Sequence, residues 1–160
     1  MKHLTSLFAT PNFKAVLGLG VTLSMTSLCV TAEPIDQRQI LKLNEAQRAH
    51  ILGEMRSLQS GTQAILAALA ADNMLEVAQQ ARLLGMSMGH KAENHLHDIL
   101  PEAFMQMGMS VHHDFDRIAR DAETLKDSKL TLQQLSTTMK TCTACHETYQ
   151  IRTRIPKHQR

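Results

Sequence analysis

Apolar residues at helical spacing dominate the chain after about residue 44, and this pattern limits the fold more than any other feature. No stretch alternates apolar and polar residues for long enough to predict a strand. After residue 35 the chain holds five glycines and only two prolines, Pro101 and Pro156. Because glycine and proline are the residues that most disfavour a helix interior, we predict an all-α fold.

Helix-start signals divide this region into four helices. Residues that favour the first turn of a helix occur four times along it. The predicted helices begin at Asn44, Asn73, Pro101 and Thr131, and the last ends before Pro156. Because the links are short, the sequence predicts an antiparallel four-helix bundle over residues 44–155. Residues 33–43 are an N-terminal extension of this domain, and residues 156–160 are its C-terminal tail.

The first 32 residues have the pattern of a cleaved signal peptide. Lys2 and Lys14 precede an apolar run over residues 15–30, and Val30 and Ala32 place small residues three and one before a cut. We predict cleavage after Ala32 and export to the periplasm. The apolar run is short and rich in Gly, Ser and Thr for a retained anchor, so no stable membrane span is expected after cleavage.

The net charge argues against one class of function. The formal charge of the chain is +2, and the predicted signal peptide contains two lysines and no acidic residue. The mature chain is therefore neutral. Nucleic-acid-binding proteins carry a concentrated basic patch, and no nucleic-acid partner is expected here.

Residues 142–146 read Cys-Thr-Ala-Cys-His, the C-x-x-C-H pattern of covalent haem c attachment. Positions three apart share a helix face, so Cys142 and Cys145 can both reach the vinyl groups on one porphyrin edge. His146 can then supply the proximal iron ligand. A zinc finger would need a second pair of ligands, and a thioredoxin-like pair a βαβ context. The sequence therefore predicts one covalent haem c.

A C-x-x-C-H motif near the C-terminus of an exported four-helix chain resembles the class II cytochromes c, which include cytochrome c′ and cytochrome c556. Tyr149 matches the aromatic residue that usually follows the motif. Gln150 stands where a basic residue is usual, with Arg152 as a stand-in, and the third helix lacks tryptophan. The resemblance covers about residues 44–152. It implies a periplasmic monohaem electron carrier with redox proteins as partners, and it is compatible with a homodimer. An enzyme is not expected, because no acid/base constellation appears beside the haem motif.

The residue opposite His146 decides between two functions. The resemblance implies either an apolar residue of the first helix over an open iron, as in cytochrome c′, or a methionine ligand, as in cytochrome c556. Leu52, four residues after Arg48, matches the first pattern, and Met55, the one methionine of the first helix, matches the second. We expect Met55 to be the sixth ligand. An open iron beneath Leu52 that binds NO or CO is the alternative, and His50 is the least favoured ligand.

Residues 86–113 are rich in histidine and methionine. Side chains three and four apart on one helix face can hold copper or zinc together. The candidate ligands are His90, Glu93, His97 and either His112 or His113. Packing and hydrogen bonding are the more common uses of such residues, so a second metal site is the weaker hypothesis.

Aromatic side chains are scarce in the predicted mature chain, which retains only Phe104, Phe115 and Tyr149. A chain of this size buries roughly two-thirds of its unfolded surface. A large flat apolar group such as haem would supply the bulk that the side chains lack. We therefore expect the chain without its two haem-binding cysteines to be loosely folded.

Overall fold

The computed structural model describes residues 35–89, 96 and 98–153. The chain divides into two units, Met1–Ile35 and Asp36–Arg160, and the fold described below belongs to the second. The predicted signal peptide and the C-terminal tail lie outside the described residues. So do three of the proposed ligands of a second metal, His90, Glu93 and His97.

Within these ranges the protein is mostly helical, which confirms the predicted class. The helices are α1 (Glu45–Ala70), α2 (Met74–Leu83), α3 (Glu102–Thr124) and α4 (Ser128–Thr148), and two strands flank them, β1 (Gln39–Leu43) and β2 (Tyr149–Thr153). Residues 86–89 are also helical. None of the helices within the described ranges is long and apolar enough to cross a membrane.

The predicted capping residues start α1 and α2. The Gln47 backbone N–H donates to the Asn44 side chain at 2.9 Å, and the Asn44 N–H donates back to the Gln47 side chain at 3.0 Å. Asn73 accepts in the same way from the Glu76 N–H at 3.1 Å. Each cap satisfies a backbone donor that has no partner inside the helix, which is why these two starts could be identified from sequence.

Both ends of α4 differ from the prediction. Asp127 accepts a hydrogen bond from the Leu130 N–H at 3.0 Å, so the helix begins at Ser128 rather than at Thr131. It ends at Thr148 rather than near Pro156, because Tyr149 adopts an extended conformation and begins β2.

The expectation that the chain contains no strand is wrong. The strands β1 and β2 pair in parallel, with Gln39 opposite Tyr149 and Leu43 opposite Thr153. Each has only five residues, which is too short for alternation to stand out in the sequence. β1 lies inside the segment 33–43 that was expected to be an extension. The pair ties the start of α1 to the end of α4.

The second helix, predicted to start at Asn73, is interrupted after Leu83. After α2 the chain turns at Leu84 and Gly85, and the Met86 N–H then donates to the Asp116 carboxylate of α3 at 3.1 Å. A Cβ atom at residue 85 would collide with the same carboxylate. Asp116 therefore caps a new helical turn, and only glycine lets it approach so closely.

The four helices pack in chain order, α1 against α2, α2 against α3 and α3 against α4. We call the cluster that all four share the helical core; its largest members are Ile65, Leu69, Val77, Leu84, Val111, Phe115, Ile118 and Leu135. A separate cluster, which we call the sheet-end cluster, contains Leu41, Leu43, Ile51, Leu96 and Tyr149. Partly buried Met55, Phe104, Met107 and Cys145 pack against the sheet-end cluster.

The inward face of α4 is more polar than its leucines suggest. Leu132 and Met139 are exposed, whereas Gln134 and Thr138 are buried. Thr138 donates to the Asp114 carboxylate of α3 at 3.1 Å. The hydrogen bond lets a polar residue occupy the interface between the two helices, since buried polar groups are stable only when they are bonded.

Candidate cofactor site

An apolar pocket opens beside the sheet-end cluster and is lined by residues of α1, α3 and α4. Its volume is about 160 Å³, not counting the mouth that opens to solvent. Pockets for small molecules and cofactors usually measure roughly 300–1,000 Å³, so a large flat ligand would have to occupy the mouth as well. Its walls include Ile51 and Leu58 from α1 and Phe104 and Val111 from α3.

All three residues of the predicted haem-binding motif line this pocket. Cys142, Cys145 and His146 contribute to its α4 wall. From the buried Thr138, steps of four and three residues lead to the two cysteines, and such steps keep side chains on one helix face. The His146 carbonyl, in the last turn of α4, accepts a hydrogen bond from Arg38 at 3.3 Å. A cation at this end of a helix is favourable because the helix dipole is negative there.

The two thiols are free, and their environment does not activate them. Burial beside the apolar pocket raises the pKa of the Cys142 thiol and of the Cys145 thiol above their usual value of 9.0. Thiols that act in disulfide exchange have a lowered pKa, because the thiolate is the nucleophile. The direction of both shifts is thus opposite to that of thiols activated for disulfide exchange.

The two first-helix candidates for the distal ligand differ in position. Met55 lines the pocket together with Ile51 and Leu58, at the steps of four and three expected for one helix face. Leu52 is half-buried, and it is absent from the part of the lining that the structure describes. His50 is exposed.

Two titratable side chains outside the motif also line the pocket, and no motif in the sequence connects them with it. Glu54 comes from α1 and His112 from α3. Burial raises the pKa of the Glu54 carboxyl, and the nearby His50 and His112 partly oppose this rise. The sequence pattern that could have identified Glu54 as a pocket residue is its position one residue before Met55, on a helix face otherwise made of apolar residues. From sequence, His112 is a candidate only for the second metal site.

No preformed metal centre is evident in the ranges that the structure covers. Among those residues no group of three or more His, Cys, Asp or Glu side chains is arranged to hold a metal ion. His112 is buried and its neighbour His113 is exposed, so the two histidines do not face the same surroundings. The second metal site stays a prediction, because its other ligands lie outside the described residues.

An aromatic pair stands at the sheet end of the pocket. Phe104 of α3 and Tyr149 of β2 meet edge to face, with ring centroids 5.2 Å apart and planes at 89°. Tyr149 packs with Leu41 and Leu43 of β1. The strand pair therefore determines where the aromatic residue that follows the C-x-x-C-H motif lies.

The chain matches no protein-family model, no curated protein and no solved structure with which it was compared. What the fold itself brings together is a specific set of donors. A cysteine pair one helical turn apart, the adjacent His146 and a methionine from another helix all border one apolar pocket. This set combines two thiols, an imidazole and a thioether.

Proposed function

We propose that the protein is a periplasmic monohaem c-type cytochrome that carries single electrons through a haem ligated by His146 and Met55. The observation that carries this proposal is that Cys142, Cys145, His146 and Met55 all border one apolar pocket. The corresponding architecture is a four-helix bundle of the class II cytochrome c type. The class assignment depends on the motif and its position in the last helix.

The residues present fit a haem in three respects. Cys142 and Cys145 lie one helical turn apart, as attachment to two vinyl groups on one porphyrin edge requires. The imidazole of His146 follows directly and is a common iron ligand. The remaining walls are largely apolar side chains, with the aromatic pair of Phe104 and Tyr149 at one end, which suits a large flat apolar group.

When bound, haem supplies a one-electron couple whose potential depends on its axial ligands and surroundings. The chain then has three tasks. The two cysteines would anchor the group, His146 and Met55 would hold the iron from two helices, and the apolar walls would cover part of the porphyrin. A thioether ligand and apolar surroundings both favour the less charged ferrous state, so both would raise the reduction potential.

The gas-binding alternative has less support. It requires an apolar first-helix residue, Leu52, over an open iron. The pocket-facing stripe of α1 instead places Met55 at the lining. Binding of NO or CO therefore serves as an outcome that tests the proposal.

The proposal also includes the location and partners of the protein. The signal-peptide pattern over residues 1–32 supports export, and haem c is attached in the periplasm. Soluble redox proteins of that compartment are the proposed partners, with neither nucleic acid nor a second substrate involved. Analytical ultracentrifugation of the holoprotein would determine whether it forms a homodimer.

The experiment is expression of the full chain, with its signal peptide, in a host that matures c-type cytochromes. We expect a mature protein that begins at Glu33 and carries one haem resistant to acid extraction. The Cys142→Ala/Cys145→Ala variant should carry no covalent haem, and Thr143→Ala, which leaves the motif intact, is the matched control. Wild-type protein that is exported but contains no covalent haem would refute the proposal.

A further inference from the structure

His112 is a deeply buried side chain that the proposed electron carrier leaves without a role. It lines the pocket from α3 and is only 5% exposed. Its Nδ1 atom lies 2.6 Å from the carbonyl oxygen of Leu84. A carbonyl oxygen can only accept a hydrogen bond, so Nδ1 must carry the ring proton. In the neutral ring Nε2 therefore has a lone pair and no proton.

The turn after α2 holds this imidazole from two sides. The Leu84 carbonyl lies at the end of α2, where helix carbonyls lack partners within the helix, and it accepts the bond from His112. Gly89 lies against the ring: a Cβ atom there would be 2.9 Å from Cδ2 and 3.4 Å from Nε2. The interruption of the second helix and Gly89 thus together determine where the His112 ring lies.

The Nε2 atom has no hydrogen-bond partner among the residues that the structure describes. It lies beside Gly89, which also lines the pocket. Histidines that bind metals almost always donate their other ring N–H to a carbonyl, a carboxylate or water. His112 has this arrangement, with its proton committed to a backbone carbonyl and its second nitrogen available.

We infer that His112 is a second ligand for the sixth position of the haem iron, one that replaces Met55 when the thioether leaves. The inference rests on the proposed function. The exchange breaks the bond between iron and the Met55 sulfur and forms one between iron and Nε2, with no proton or electron transferred. With Met55 present, the thioether would keep the position in both oxidation states, and His112 would take it only once the thioether is lost.

The simplest competing explanation is that His112 only joins α3 to the turn after α2. Replacement by asparagine separates the two roles. An asparagine amide N–H can still donate to the Leu84 carbonyl, whereas the Nε2 lone pair is lost. His113, the exposed neighbour on the same helix, provides a matched control for a histidine-to-asparagine change.

The test uses purified holoproteins and reads the spin state of ferric haem by optical and electron paramagnetic resonance spectroscopy. Met55→Ala should remain six-coordinate and low-spin, because His112 takes the vacated position. Met55→Ala/His112→Asn should become high-spin, and Met55→Ala/His113→Asn should stay low-spin. Helix content and haem stoichiometry, measured for every variant, show whether each is folded and loaded.

A second variant avoids removing the histidine at all. Met55→Ala/Gly89→Ala places a methyl group against the ring, and we expect a rise in the high-spin fraction relative to Met55→Ala. A high-spin Met55→Ala protein would overturn the inference, as would a low-spin spectrum that persists in both double variants. Wild-type protein without covalent haem would instead refute the proposed function, so the two failures are distinguishable.

Discussion

The two apolar clusters of this protein differ in what they need to be complete. The helical core is closed: Ile65, Val77 and Ile118 have no exposed surface, and four helices supply its members. The sheet-end cluster has fewer buried members, and around it Met55, Phe104, Met107 and Cys145 are only partly buried beside the pocket. The helical core is therefore packed by its own side chains, whereas the sheet-end cluster borders an open pocket, where the proposed haem would lie.

The largest effect is expected when both proposed haem attachment points, Cys142 and Cys145, are removed. We expect Cys142→Ala/Cys145→Ala to lose all covalent haem and its cooperative thermal unfolding, because the sheet-end cluster lacks the group that fills it. Hydrogen exchange should show the greatest loss of protection in β1, β2 and the start of α1. An apoprotein that unfolds cooperatively with full helix content would show that the sheet-end cluster is stable without haem.

A substitution inside the helical core should affect only that core. Ile118→Ala removes a fully buried side chain from the helical core, and such substitutions cost about 2–5 kcal/mol of unfolding free energy. Denaturant unfolding of the holoprotein measures this loss. The visible spectrum should stay unchanged, since Ile118 does not line the pocket. A changed haem spectrum would mean that the two clusters are coupled.

A smaller effect is expected at the aromatic pair beside the pocket. Phe104→Leu keeps an apolar side chain but abolishes the edge-to-face contact with Tyr149, and such pairs contribute about 0.5–1.5 kcal/mol beyond burial. Phe115→Leu, in the helical core, serves as the matched control, because it changes the same residue type away from the pocket. Only Phe104→Leu should also alter the reduction potential. Equal shifts of potential in both variants would contradict a local effect.

The smallest effect concerns the pH dependence of stability through Glu54. Burial raises the pKa of this carboxyl above its usual value of 4.5, so the folded state retains a proton that the unfolded state loses first. The resulting stability is present below pH 4.5 and decreases as the pH rises through the raised folded pKa. Glu54→Gln should therefore be slightly more stable than wild type at neutral pH.

Denaturant unfolding at several pH values measures this difference. The two proteins should converge in stability as the pH falls towards 4. Glu45→Gln, an exposed change in the first turn of the same helix, should not show the same pH profile. A wild-type protein that is more stable than Glu54→Gln at neutral pH would mean that the carboxylate has a favourable partner in the pocket.

Much of the helical framework could be predicted from local signals. Asn44 and Asn73 identify helix starts because their side chains bond to backbone groups only three residues away. The strands could not be predicted, since β1 is stable only where β2, more than a hundred residues later, lies beside it. The break after Leu84 was missed for a similar reason: it depends on Asp116, a residue of another helix.

The site shows the same division between local and distant information. The spacing of Cys142, Cys145 and His146 is local, and all three line one pocket as expected. The choice between Leu52 and Met55 depends on which face of α1 borders the pocket, and the sequence left both open. The position of the His112 ring depends on the Leu84 carbonyl and on Gly89. No local sequence pattern associates these residues with a histidine 23 or more residues away.

The most direct test of the central claim is the absorption spectrum of the purified wild-type holoprotein, oxidised and reduced, with and without CO. A haem ligated by His146 and Met55 predicts c-type bands and a methionine-to-iron charge-transfer band in the ferric protein. It also predicts a ferrous spectrum that CO changes little. A ferric protein that lacks this band, together with ferrous protein that binds CO avidly, would contradict methionine ligation and establish an open iron.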